Sequence, residues 1–448
     1  MSSIIIRNGT IVNEGKASRG DILILNDIIT AIGDIDETVI PAGTTCINAE
    51  GRLVMPGIID DHVHFREPGL THKADIFSET RAAAAGGVTS FMDMPNTLPQ
   101  AVTLKLLEEK FRIASEKSLV NYSFYLGATN SNIDEMLSAD PRKICGIKLF
   151  LGASTGNMLV NDAGTVSKLF SSTPMLVACH CEDEEIINSN REIFIKKYGE
   201  DIPPECHPLI RSREACFKSS EAMVLMAKHY NTRLHLLHIS TADELRLLSN
   251  NTTAERKRIT AEACVHHLWF DDTFYGVLGN RMKWNPAIKT AFDRKALIDG
   301  LNNGYIDVVA TDHAPHTLTE KSEPYLKAPS GGPMIQHSLP LMMELHHAGL
   351  ISPETIVEKM CHNPARIFRI KNRGFIREGY KADICIVNTS ESWTVNSENI
   401  LYKCGWSPLE GTTFRSRVEY TIVNGTVVFN RGSFTEDFRG EQLLFNEI

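Results

Sequence analysis

The sequence predicts an α/β protein: a (β/α)8 TIM-type barrel with a small flanking β-sandwich domain built from both termini. Three observations lead there. Residues 1–54 hold short β-branched runs between turn signals, residues 55–366 alternate apolar strand candidates with helical segments, and residues 367–448 return to short strands. From the N-terminus, residues 4–7 and 10–12 read as strands around an Asn8-Gly9 turn, and residues 21–25 and 28–29 as strands around Asn26-Asp27. Such residues tolerate the positive φ of a tight hairpin. Eight strand candidates follow, at 55–65, 88–94, 121–127, 145–151, 175–181, 233–239, 258–265 and 306–311. Most are separated by helix-like runs such as 78–86, 103–117, 214–229 and 293–302. That rhythm matches a closed barrel, with a doubly wound open sheet as the competing arrangement. Helices are expected at 338–348 and 353–360, then strands at 382–387, 418–423 and 426–429, the last two joined by Asn424-Gly425. The all-β ends are expected to pack together as one domain.

Composition narrows the function. The chain of 448 residues has 42% hydrophobic residues and a formal net charge of −9, an ordinary globular balance that excludes disordered, collagen-like and membrane-embedded classes. No basic tract is present to displace counterions from phosphates, so the expected partner is a small molecule rather than nucleic acid. The ten cysteines form no C-x-x-C pair and read as reduced thiols. With no export-like start and no long apolar run, no membrane association is expected and a cytoplasmic location follows.

The sharpest local signal is Asp60-Asp-His-Val-His-Phe-Arg66. Side chains two apart on a strand share a face, so His62 and His64 can hold one metal, and imidazole suits zinc. Alone, such a pair is as readily a surface pair. Further metal-binding types end later strands: His180 the fifth, His238 the sixth and Asp312 the eighth. In a barrel these ends converge on one face, so groups distant in sequence would meet. Lys148 stands in the apolar run of strand four, where burial lowers its pKa and leaves a nucleophilic amine able to add CO2. The resulting carbamate is suited to bridging two metals. A salt-bridged lysine at the strand end is the plainer reading, with Asp162 the other candidate anionic ligand from this region. Cys179 and Cys181 point away from the face His180 occupies and read as packing. His266 and His267 fit a site or a core role equally, and residues 328–333 fit a substrate-covering loop or a plain connector.

The strings His62-Val-His-Phe-Arg-Glu-Pro-Gly69, Ala82–Thr89, Asp93-Met-Pro-Asn-Thr97, Ile147-Lys-Leu149 and Thr311-Asp-His-Ala-Pro-His316 together resemble the dihydroorotases of the amidohydrolase superfamily. The run from Gly374 to Ile384 resembles that superfamily's return into its composite β-domain. The resemblance implies two zinc ions per chain, one held by His62, His64, Asp312 and Lys148, the other by Lys148 as an N6-carboxylated lysine with His180 and His238. It further implies that Arg66, Asn96 and His316 hold a substrate carboxylate, with Asn285 a further contact. Cys181 and Val265 depart from the superfamily's frequent alanine and proline without removing a ligand, and some dihydroorotases use an aspartate instead of the modified lysine.

The implied reaction is reversible hydrolysis of the cyclic amide of L-dihydroorotate to N-carbamoyl-L-aspartate in pyrimidine biosynthesis. Its chemistry calls for a metal-bridging hydroxide and for Asp312 as general base and acid. Within the same class the alternative is an allantoinase or dihydropyrimidinase, whose uncharged rings need no carboxylate-binding set. From another class, the alternative is a non-catalytic homologue serving as a structural partner. The expected assembly is a homo-oligomer, a dimer.

Overall fold

The computed structural model describes residues 2–152, 158–160 and 162–447. Eight parallel strands form the barrel: Ile58–Val63, Val88–Asp93, Asn121–Gly127, Gly146–Phe150, Val177–His180, Leu234–Leu236, Ile259–Cys264 and Val308–Ala310. They pair in chain order. The ring closes where strand eight meets strand one: His64 N donates to His313 O at 2.7 Å, and Thr311 Oγ1 to Asp60 Oδ2 at 2.6 Å. Nearly every strand residue is buried, as parallel strands covered by helices must be. The covering helices begin at built caps. Asp75 and Ser78 cap Ile76–Ala85 reciprocally, and Thr290 and Asp293 do the same for Ala291–Asn302, each box satisfying two otherwise orphaned N–H groups.

A nine-stranded sheet joins the two ends of the chain. Arg52–Pro56 lies at its seam, antiparallel to Ile384–Asn388 on one side and parallel to Ser3–Asn13 on the other. Ile4, Ile6, Ile24, Ile384, Ile386 and Ile422 fill its core. The Asn26 and Asn424-Gly425 turns fall where the sequence places them, with φ of 54°, 48° and 72°.

Two local expectations are corrected. Asn8-Gly9 is not a hairpin turn: Ser3–Asn13 is one strand whose register shifts between Ile6 and Gly9, with Asn8 at φ 62°. The positive-φ signal here marks a bulge. The hairpin instead uses Glu14-Gly15, at φ 50° and 74°. Likewise, the run 55–65 is two strands in two sheets, parted at Gly57. A Cβ at Gly57 would stand 2.1 Å from Thr89 Oγ1, so only glycine lets the chain cross there. An unbroken apolar run hides that change of sheet because both halves are buried.

Candidate active site

At the C-terminal ends of the barrel strands a cleft of about 200 Å³ opens, and His62, His64, Arg66, Asn96, Lys148, His180, His238, Asn285, Asp312 and His316 all line it. Strand one delivers the first pair. Nε2 of His62 and of His64 face Asp312 Oδ1 at 3.2 and 3.1 Å. Their other ring nitrogens are anchored, His62 Nδ1 donating to Glu262 Oε1 at 2.6 Å and His64 Nδ1 to Asn96 Oδ1 at 2.7 Å. In the same cleft His180 Nδ1 and His238 Nε2 approach to 2.8 Å, while His180 Nε2 donates to Glu182 Oε2 at 2.8 Å. The His62 and His238 rings, 5.3 Å apart, join the two groups. Lys148, fully buried in strand four, reaches the same cleft.

Imidazoles whose inward nitrogens converge on a carboxylate while the outward ones are held by Glu or Asn side chains are what divalent metal ligation requires. The donors of His62, His64 and Asp312 lie within 4.8 Å of one another, so this set fits a metal ion. Electrostatics agree. Burial opposes charge on Asp312, yet the rings of His62 and His64 outweigh it and hold the carboxylate well below its usual range. Burial pushes His64 down to about 4 and Lys148 down to about 8, favouring the neutral, electron-donating forms. Three of these residues are strained: Arg66, His238 and Asp312 have φ of 67°, 39° and 44°. Each such residue costs about 1–3 kcal/mol and persists only where its surroundings fix it.

Arg66 and His316 line the same cleft, with Arg66 a buried cation. Arg66 Nε donates to Pro315 O at 3.0 Å and its Nη2 stands 3.1 Å from His316 Nε2, while His316 Nδ1 accepts from Lys73 Nζ at 3.1 Å and Nε2 donates to Ser330 O at 3.0 Å. Asn285 Oδ1 is buried without a hydrogen-bond partner among the described residues, free to meet a ligand. Pro329, Ser330 and Gly331 form the rim. This stretch is tied down: Lys321 Nζ donates to the carbonyls of Pro329 and Gly331 at 2.9 and 2.8 Å.

Asp162 is corrected by its position. It is the exposed N-cap of Ala163–Ser172, accepting from Thr165 N, and does not line the cleft. Cys179 and Cys181 pack in the core, and His266 stacks on Trp284 with ring centroids 4.7 Å apart. Sequence reasoning missed Glu262 and Glu182, the carboxylates behind His62 and His180. Glu262 had a signal, a lone charge inside the apolar strand Ile259–Cys264, the same kind that singled out Lys148. Asn96 lines the cleft, but its side-chain oxygen is engaged by His64.

Residues 53–428 match the family model described as Amidohydrolase family. The chain belongs to the amidohydrolase family. Among the curated relatives of this amidohydrolase, a dihydroorotase of Methanosphaera stadtmanae is 32% identical over 96% of each chain. A dihydroorotase of Bacillus subtilis is 32% identical, covering 96% of this chain and 99% of its own. Among solved structures, the L-hydantoinase (dihydropyrimidinase) of Arthrobacter aurescens superposes with a TM-score of 0.93 at 26% identity, covering 99% of this chain and all of that one. The protein is a cyclic amidohydrolase, and among its described residues no helix is long and apolar enough to cross a membrane.

Proposed function

We propose that this amidohydrolase is a dihydroorotase, opening the ring of L-dihydroorotate to N-carbamoyl-L-aspartate and closing it again in pyrimidine synthesis. The observation that carries the proposal is the buried Arg66–His316 pair, which lines the same cleft as the His–Asp cluster. A guanidinium kept out of solvent, with no carboxylate hydrogen-bonded to it among the described residues, is built to receive one from a ligand. L-Dihydroorotate carries that carboxylate, and the curated dihydroorotases of Methanosphaera stadtmanae and Bacillus subtilis support the same substrate.

In this proposal His62, His64 and Asp312 with Lys148 would hold one zinc ion, and His180 and His238 with N6-carboxylated Lys148 the other. Bound there, the pair supplies Lewis-acid polarisation of the scissile carbonyl and acidifies water to near neutrality. Arg66 and His316 fix the ring through its carboxylate, and Asn285 Oδ1 accepts from a ring N–H. Asp312, kept ionised by His62 and His64, takes the proton of the attacking water and returns it to the departing ring nitrogen. Such a proton relay is typically worth about 10² to 10⁴ in rate.

A second reading, a hydantoinase or dihydropyrimidinase, is favoured by the likeness to the Arthrobacter aurescens structure. An uncharged ring gives the buried Arg66 guanidinium no carboxylate to hydrogen-bond, which weighs against it. Initial rates on L-dihydroorotate, allantoin and dihydrouracil, for zinc-loaded and chelator-stripped protein, decide between them. Metal-dependent opening of L-dihydroorotate is expected, and activity confined to the uncharged rings overturns the substrate.

A further inference from the structure

Beside the cleft, and sharing Asn285 and Ser330 with it, lies a second cavity of about 190 Å³. Arg191, Arg211 and Lys283 line it, and no carboxylate is among its described lining residues. Only one of these cations is compensated. Arg211 Nη1 donates to Glu182, behind His180. Lys283 Nζ is held by two neutral carbonyls, Tyr325 O at 2.6 Å and Ala328 O at 2.5 Å, and is only 9% exposed. Arg191, on the helix Glu184–Tyr198, has no hydrogen-bond or ion-pair partner among the described residues. Ile187, Ile210 and Leu326 supply apolar wall, which lowers the local dielectric and strengthens the attraction for an anion.

The reaction class says which anion. When water opens a cyclic amide, its oxygen bonds to the carbonyl carbon and the C–N bond breaks. The nitrogen takes one proton and the new carboxylic acid releases another at neutral pH. In dihydroorotate, dihydrouracil, hydantoin and allantoin alike the departing nitrogen becomes part of a neutral ureido group, so the acyclic product carries one more negative charge than the substrate. We propose that this cavity is a product subsite, which takes the newly formed carboxylate as the acyclic acid leaves the cleft past Asn285 and Ser330. The inference rests on cyclic-amide hydrolysis and not on which ring is opened.

The test uses zinc-loaded enzyme and the variants Arg191→Ala and Arg191→Glu, at an exposed helical position outside the catalytic cluster. Ring opening is followed with the acyclic acid added as inhibitor and, separately, with inorganic phosphate. The inhibition constant of the acyclic acid should rise about threefold in Arg191→Ala and on the order of tenfold in Arg191→Glu, while forward kcat and KM for the ring stay unchanged. In ring closure kcat and KM should rise together, because a product held away from the reacting position is bound nonproductively. A merely structural role for Arg191 would not produce that pattern. An unchanged inhibition constant in both variants overturns the proposal. So does phosphate inhibition that the variants abolish while inhibition by the acyclic acid persists, which would make the cavity a site for free anions. If hydantoin is opened and L-dihydroorotate is not, the proposed substrate fails, and the same test proceeds with hydantoin and its own acyclic acid.

Discussion

Glu262 holds the first metal-facing histidine from behind, and Glu262→Gln isolates what its charge contributes. Its Oε1 accepts from His62 Nδ1 at 2.6 Å and from His238 N at 2.9 Å, both fully buried. Glutamine keeps an acceptor oxygen of the same shape, so both hydrogen bonds survive as neutral ones. Hydrogen bonds to a charged acceptor are worth about 1.5–3 kcal/mol and neutral ones about 0.5–1.5, a difference of about 1 kcal/mol for each of the two. About 2 kcal/mol of lost support, shared between the His62 ring and the His238 backbone, corresponds to roughly 30-fold in metal affinity, within the 10- to 100-fold typical for such partners. Competition with a zinc chelator measures it, with circular dichroism to establish that the fold is kept. Affinity within about twofold of the parent in a folded variant would refute the role assigned to this carboxylate.

Arg66→Met, which keeps much of the side chain's length, should lower kcat/KM for L-dihydroorotate by about 10² to 10³ through loss of a charge-assisted pair, read from steady-state rates. Lys148→Ala should abolish activity and metal pairing, with partial rescue by small carboxylic acids; full activity would reject the bridging role. With Lys148 at about 8 and the neutral amine the reactive form, zinc reconstitution at fixed dissolved CO2 should accelerate roughly tenfold from pH 7 to 9. In stripped protein, Asp312 and Glu262 have folded pKa values depressed below their unfolded ones of about 4. Their stabilisation is present above that pH and lost as pH falls, so the midpoint of thermal unfolding should drop below pH about 4. Away from the site, Lys110→Met strands the buried Asp93, which now accepts from Lys110 Nζ at 2.5 Å, and should cost about 3–5 kcal/mol in denaturant unfolding.

The barrel was legible because parallel strands buried on both faces write themselves as apolar runs, and the polar residues ending those runs stand out. His62, His64, His180, His238 and Asp312 were visible for that reason, and the structure brings all five to one cleft. Lys148 and Glu262 carry the same signal, a charge inside an apolar strand, but only the lysine suggested a chemistry of its own. Periodicity could not reveal the break at Gly57, since both flanking strands are buried and what demands glycine is Thr89, more than thirty residues away. Asn8-Gly9 shows the complementary limit: positive φ serves bulge and turn alike, and the pairing partner decides between them. Asp162 was drawn toward the site by its residue type, whereas the oxygen it offers is committed to capping a helix.

L-Dihydroorotate and dihydrouracil present the same cyclic amide and differ in the ring carboxylate. The ratio of their kcat/KM values on zinc-loaded enzyme therefore reads directly what Arg66 and His316 are for. A ratio of about 10² or more, collapsing in Arg66→Met, is expected if the buried Arg66–His316 pair binds that carboxylate. A ratio near unity, or one favouring dihydrouracil, would contradict the assignment of this amidohydrolase to the anionic ring.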